Sequence, residues 1–229
     1  MSFTGFSPET VAFLAELAGH NNRDWFAANK PRYEQHVRRP ALAFIEAVAA
    51  PLEKACPCIF ADPTPVGGSL MRIYRDTRFG GDKTPYKTNI GIHFRHERGD
   101  DIHAPGFYFH LDPKEFFLAC GIWRPEAKPL AAIRTRIAEY GDEWMSIRKD
   151  KKFAKDWGSI TGERLKRPPR GFDAEHPCIE DIKLKEFLGV CDLPRETMFS
   201  RKLVDAVVKV SATAQPLMKF LCDAMAIPY

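Results

Sequence analysis

The chain has 229 residues with 45% hydrophobic content, enough to bury a sizeable core in one large domain. A net charge of +4 and a pI near 8.7 make it only mildly basic, so nucleic-acid binding is not favoured. The sequence opens without a basic stretch followed by an apolar core, and no apolar run reaches membrane-spanning length, so we expect a cytoplasmic protein without membrane association.

Six cysteines are spread along the chain, and only the run Cys56-Pro57-Cys58 brings two together. The chain has no CxxC pair and no cysteine–histidine cluster with the spacing of zinc ligands, so no metal site is predicted. Several cysteines lie in apolar surroundings, as Cys120 and Cys222 do, which favours a reducing compartment.

The first fifty residues predict helices. Ser7 followed by Pro8 and Glu9 is typical of a helix start, and Gly19 ends that helix. Asn21 or Asn22 then caps a short second helix, and Pro40 opens a longer third one.

The middle of the chain predicts four strands in succession. A Gly67-Gly68 turn precedes the first, and short turns separate the others, which indicates an antiparallel meander. With helices on both sides in sequence, we predict an α+β fold in which N-terminal and C-terminal helices cover a sheet of roughly residues 69–123, all within a single domain 1–229. The predicted strands are Ser69 to Arg75, Asn89 to His96, Phe107 to Leu111 and Phe116 to Trp123.

Alternation along these strands separates two faces. One face is apolar throughout and needs helices to cover it. The other combines titratable groups with small residues, and it includes His93, Tyr108, His110 and Trp123. If the first strand adds Arg72 to this side, polar groups converge on a shallow depression, which is typical of a ligand site.

The stretch from Arg72 to Lys87 is the densest in charged side chains. It connects two predicted strands through a loop that contains Gly80-Gly81, and it carries five basic residues but only the acids Asp76 and Asp82. The positive potential of such a loop suits phosphate or carboxylate groups.

The chain from about residue 125 predicts mainly helices. The helical segments are Pro125 to Tyr140, Asp142 to Lys149, Ile179 to Leu188, and Arg201 to Ala224 with a break at Pro216. Asp150 to Lys152 is interpreted as solvated charge, and Gly158 to Pro177 as a loop-rich segment with a second basic cluster.

The motif Arg72-x-x-Arg75-Asp76-x-Arg78-Phe79-x-x-Asp82-Lys83-x-x-Tyr86 resembles the signature of the bacterial family DUF2461. Three later segments also resemble that family, so the similarity covers nearly the whole chain. The resemblance implies that the motif matters, but it implies no particular activity, cofactor or catalytic residue. The later segments are Gly106 to Leu111, Gly121 to Glu126 and Pro169 to Phe172.

The motif and the polar sheet face together predict a site for a small anionic ligand. If the protein is an enzyme, we assign proton transfer to His93 and His110, and the role of base or orienting group to Asp76. The residues expected to bind the ligand offer a positive charge, a stacking ring or an acid that orients a cation: Arg72, Arg75, Arg78, Asp82, Lys83, Tyr86, Lys87, Tyr108 and Trp123.

The sequence leaves three interpretations open. The protein could be an enzyme acting on a phosphorylated or nucleotide-like substrate, or a non-catalytic module that binds nucleic acid or an acidic partner. Alternatively the charged motif is structural, an ion-pair network that holds the hairpin. His93 and His110 could also bind a metal together with an acid such as Asp76. The cofactor and the oligomeric state are not determined.

Overall fold

The computed structural model describes residues 2–78, 81, 83–98 and 104–229. The N-terminal helices form as predicted, and Asn22 is the cap of the second, because its side chain accepts a hydrogen bond from the Trp25 amide at 2.9 Å. A π-helical turn, Glu34–Arg38, joins the second helix to the third without a break. The helices are α1 (Pro8–Gly19), α2 (Arg23–Tyr33) and α3 (Arg39–Ala55).

Five antiparallel strands form one sheet in the order β1-β2-β3-β4-β5. This confirms the predicted α+β fold with helices beside an antiparallel sheet. Two of the strands lie outside the predicted sheet range of residues 69–123: β1 precedes it, and β5 follows it, with its first two residues in a segment predicted to be helix. The strands are β1 (Ile59–Phe60), β2 (Ile90–His96), β3 (Gly106–Leu111), β4 (Phe116–Ile122) and β5 (Phe187–Asp192).

The apolar face of the sheet has the predicted composition. The register pairs Ile92 with Phe109 and Phe109 with Leu118, so these side chains lie on one face. Phe44 of α3 packs on that face, with its ring centroid 4.9 Å from that of Phe109. All four side chains are fully buried, so the helices remove this face from water.

The C-terminal part also covers the apolar face. Trp157, for example, packs against Phe107 of β3 with 6.1 Å between ring centroids. The helices are α4 (Ala127–Glu139), α5 (Gly141–Lys149), α6 (Lys151–Trp157), α7 (Ile179–Ile182), α8 (Arg195–Met198), α9 (Lys202–Thr213) and α10 (Gln215–Ala224).

One C-terminal prediction is wrong and another is incomplete. Lys151 and Lys152 are exposed as predicted, and Asp150 also caps α6, since its carboxylate accepts a hydrogen bond from the Phe153 amide at 2.7 Å. The predicted helix Ile179 to Leu188 ends at Ile182 and is followed by β5. A glycine in that strand, Gly189, lets the sheet approach α6 closely, because a Cβ there would lie 3.1 Å from the Cβ of Trp157.

The predicted strand Ser69 to Arg75 does not form a continuous ladder. Leu70 makes an isolated bridge to Ile92 of β2, whereas Tyr74 bridges to Tyr86. The segment changes partner within four residues, so it crosses from the sheet edge to its own hairpin. Leu70 pairs with Ile92 of the apolar face, and Met71 Sδ would lie 3.2 Å from a Cβ at Gly91, so the register presents Met71 to the polar face where the sequence pattern had placed Arg72.

Candidate functional site

The hairpin that carries the charged motif is held by its backbone. The Arg75 amide donates to the Pro85 carbonyl at 2.9 Å, and the Lys87 amide donates to the Ile73 carbonyl at 2.7 Å. The side chain of Asn21, at the junction of α1 and α2, bonds both backbone groups of Tyr86, at 2.9 and 3.0 Å. The hairpin is therefore fixed to the N-terminal helices.

Several charged residues of the motif bond to one another or to the loop. Arg78 donates two hydrogen bonds to Asp76, from Nε at 3.0 Å and from Nη2 at 2.7 Å, and these bonds hold the pKa of Asp76 below its usual range. Arg75 donates to the Thr84 hydroxyl at 3.0 Å, and Lys83 donates to the Thr77 carbonyl at 2.8 Å. Asp82 lies outside the described residues.

Arg72 and Lys87 differ from these three cations in their surroundings. Burial, and secondarily the positive charge of Arg72, lower the pKa of Lys87. In the part of the chain that the structure describes, neither side chain makes a hydrogen bond or an ion pair. Half-buried Lys87 thus has a second cation as its charged neighbour and no acidic partner among those residues, whereas Arg72 also interacts with Asp76 through its charge.

Tyr86 packs inside the protein instead of facing the loop. Its ring stacks on Phe26 of α2 with 4.1 Å between centroids, and Tyr74 packs on it at 5.5 Å. Only 5% of Tyr86 is exposed, so its ring anchors the hairpin to the helices. Of the two rings, Tyr74 is the one that remains accessible.

The strand register places His93 and His110 on one face of the sheet. His93 lies opposite Tyr108, and His110 lies opposite Gly91. The two histidines are diagonal neighbours, a relation that separates Cβ atoms by about 7 to 8 Å. Their side chains point apart, since His93 packs over Gly106, whereas Tyr108 leans over Gly91 toward His110.

His110 belongs to a connected group of polar side chains. Its Nδ1 is 3.1 Å from Tyr108 Oη, and Asn89 Nδ2 donates to the same oxygen at 3.3 Å. Its Nε2 is 3.2 Å from Asp112 Oδ2. The ring of Phe117 stacks on the imidazole with centroids 4.8 Å apart and an interplanar angle of 5°.

Asn89 and Asp112 were not predicted as site residues. Asp112 follows His110 by two residues, so strand alternation places it on the same side, a signal available in the sequence. Hydrogen bonds from the Glu115 and Lys114 amides and from His110 lower the pKa of Asp112 although burial opposes them. We interpreted this segment from the sequence only as a turn.

His93 is buried, with 8% of its surface exposed. Burial, and secondarily the charge of Arg95, lower the pKa of His93 to about 4. Its Nδ1 makes no hydrogen bond within the described residues. Nor does a hydrogen bond or an ion pair join Asp76 to either histidine among those residues.

Trp123 lies at the opposite end of the sheet from the hairpin. It follows the β4 residues that pair with Gly106, whereas Ile90, at the hairpin end, pairs with Leu111. Five residues of strand span roughly 17 Å. Trp123 is 48% exposed and stacks with its neighbour Arg124, whose guanidinium carbon is 4.7 Å from the ring centroid. The structure does not bring it together with the other predicted ligand residues.

The fold and the site define an α+β protein whose five-stranded antiparallel sheet is covered by helices on one face and carries a polar cluster on the other. The sequence model of the family described as "Conserved hypothetical protein (DUF2461)" matches residues 9–220, so the chain belongs to that family. Neither a curated protein nor a solved structure matches the sequence. Among the described residues, every helix is too short or too polar to cross a membrane.

Proposed function

We infer that this protein binds a small ligand through a phosphate or carboxylate group held by Arg72 and Lys87. The observation that carries the proposal is the half-buried Lys87, next to a second cation and without an acidic partner in the described chain. Partial burial and a neighbouring like charge both disfavour the ammonium form. An anion at this position removes both penalties.

The other motif cations support the site indirectly. Arg78 and Lys83 bond to Asp76 and to the Thr77 carbonyl, so they hold the loop that contains Arg72. In this arrangement Arg78 and Lys83 have the structural role, whereas Arg72 and Lys87 bind the ligand. Tyr74, 53% exposed beside the cations, offers a ring face to an aromatic part of the ligand.

A catalytic role for the site is a further part of the proposal. His110 is the better proton-transfer candidate, because its Nε2 faces the carboxylate of Asp112 while Tyr108 and Phe117 orient the ring. Buried His93, whose pKa is about 4, is neutral near pH 7 and suits a structural position better.

We also propose a cytoplasmic location. All six cysteines are free thiols, and five of them are buried. Burial raises the pKa of Cys56 to about 11 and that of Cys222 to about 12, so these thiols are unreactive core groups. Free thiols in this number are typical of a reducing compartment.

The test is thermal unfolding in the presence of inorganic phosphate, nucleotides, sugar phosphates, dicarboxylates and a single-stranded RNA oligonucleotide. A compound at 100 times its dissociation constant stabilises the native state by about 2.7 kcal/mol. Stabilisation by RNA alone would favour the nucleic-acid module over the small-ligand site.

Variants separate ligand binding from folding. Lys87→Met should leave the unfolding free energy unchanged or raise it, because it removes a half-buried charge beside Arg72, and it should abolish the stabilisation by the anion. Arg72→Ala should do the same, and Lys54→Ala, which removes an exposed charge on α3, should have no effect on binding. If Lys87→Met and Arg72→Ala both destabilise the free protein and no anion stabilises the wild type, the proposal is wrong.

A further inference from the structure

The turn between β3 and β4 brings three metal-ligating groups together. His110, Asp112 and Glu115 each offer one ligand atom, and these atoms all lie within 4.8 Å of one another. We propose that they form a binding site for a divalent transition-metal ion such as Zn²⁺ or Mn²⁺. The three ligands include neither Arg72 nor Lys87, so this proposal does not depend on the anion-binding proposal.

The distances fit an ion with little rearrangement. His110 Nε2 is 3.2 Å from Asp112 Oδ2 and 4.0 Å from Glu115 Oε2. Adjacent ligands at the usual bond lengths are about 3.0 to 3.5 Å apart in octahedral or tetrahedral coordination. Only Glu115 has to move closer, and its side chain is 67% exposed and free to rotate.

Groups outside the three ligands hold the imidazole in a ligating orientation. Tyr108 Oη bonds Nδ1, the nitrogen that points away from the carboxylates, and Asn89 donates to that same hydroxyl oxygen. A metal-bound histidine is typically held in this way through its second nitrogen. The stacked Phe117 ring also prevents the imidazole from turning.

The turn leaves one oxygen of Asp112 available. Oδ1 accepts hydrogen bonds from the Lys114 and Glu115 amides, both at 2.6 Å, so that oxygen is committed to the backbone. Oδ2 is left facing the imidazole. When Nδ1 carries the proton of the neutral ring, the lone pair of Nε2 points at this carboxylate, a repulsive arrangement that a cation between them turns into an attractive one.

The ligand types indicate the class of metal. One imidazole nitrogen with two carboxylate oxygens suits Zn²⁺, Mn²⁺ or Fe²⁺ better than Mg²⁺ or Ca²⁺, which prefer oxygen ligands alone. Three protein ligands leave at least one coordination position for water or a ligand atom. The site lies on the sheet face that helices leave accessible, where Val190 of the adjacent strand β5 is 43% exposed.

The experiment uses the full chain, freed of metal with a chelator and titrated with ZnCl₂ by calorimetry and with CoCl₂ by visible absorption. We expect one ion per chain, bound with micromolar or tighter affinity, and Co²⁺ bands without the thiolate charge-transfer absorption that a cysteine ligand would give. Asp112→Asn keeps an oxygen for the Lys114 and Glu115 amides, and Glu115→Gln keeps the shape of an exposed side chain, so both variants should fold normally.

Each of these two variants should weaken Zn²⁺ binding at least about tenfold, and the double variant should abolish it. The matched control is Asp192→Asn, which removes an exposed charge from the residue of β5 paired with Phe117. Binding that survives the double variant, a thiolate signature, an equal loss in Asp192→Asn, or affinity weaker than millimolar would each overturn the proposal. In the last case the His110–Asp112 contact is an ordinary hydrogen bond with a proton on Nε2.

Discussion

The polar sheet face contains two histidines in opposite environments. His110 contacts Tyr108 through one ring nitrogen, Asp112 through the other, and the Phe117 ring through its face. His93, its diagonal neighbour, is 8% exposed, and its Nδ1 has no partner in the described part of the chain. The difference shows that two histidines on one sheet face can have opposite environments, because only the neighbours of His110 contact both of its ring nitrogens.

Acid titration should show the largest effect, and it concerns His93. Its pKa is about 4 in the folded protein, whereas a free histidine has a pKa of 6.5. Between these values the unfolded chain binds a proton that the native state does not, so stability falls as the pH falls from 6.5 to 4. The shift corresponds to about 3 kcal/mol.

The measurement is urea unfolding of the wild type and of His93→Gln across that pH range. The variant should lose about 3 kcal/mol less than the wild type between pH 7 and pH 4, because its side chain does not titrate. Parallel curves for the two proteins would show that His93 is protonated in the native state and that the comparison between the two histidines is wrong.

A second prediction tests the packing beneath His93. A Cβ at Gly106 would lie 2.7 Å from the Phe94 carbonyl oxygen and 3.0 Å from His93 Nε2. The backbone oxygen cannot move without disturbing the ladder between β2 and β3. Gly106→Ala should therefore cost about 2 to 3 kcal/mol in unfolding free energy, measured by urea denaturation at pH 7.5.

The smallest effect on the unfolding free energy is expected beside His110, where Gly91 lies beneath Tyr108. A Cβ there would meet the Tyr108 hydroxyl at 3.0 Å and Met71 Sδ at 3.2 Å, both at the ends of side chains that can move. Gly91→Ala should cost about 1 kcal/mol. It should also shift the NMR signals of His110, since the Tyr108 hydroxyl that contacts His110 must leave its position. If Gly91→Ala lowered the unfolding free energy more than Gly106→Ala does, Gly106 would not be the more rigid of the two positions.

Strand alternation predicted the two faces of β2, β3 and β4 because each has a long, regular pattern, as in Ile90, Ile92 and Phe94. It did not predict β5. Phe187 to Asp192 is a short apolar run that suits a buried helix as well as a strand, and its state is decided by pairing with β4, about seventy positions earlier in the chain.

The candidate site could also be predicted only where it depends on local sequence pattern. The positive hairpin and the shared face of His93 and His110 follow from local pattern. The pairing of Asp76 with Arg78 and the burial of Tyr86 against Phe26 depend on contacts that a linear pattern does not contain. Asp112 is the exception, since its spacing from His110 was visible and only its interpretation as a turn concealed it.

The bonds of Asn21 to Tyr86 make the hairpin sensitive to the helices at the start of the chain. One side-chain amide satisfies both backbone groups of Tyr86, 65 positions away, so undocking of the junction between α1 and α2 breaks two hydrogen bonds at once. Deuterium exchange at the Tyr86 amide therefore reports undocking of the N-terminal helices. A ligand that contacts only Arg72 and Lys87 should slow that exchange without touching either partner.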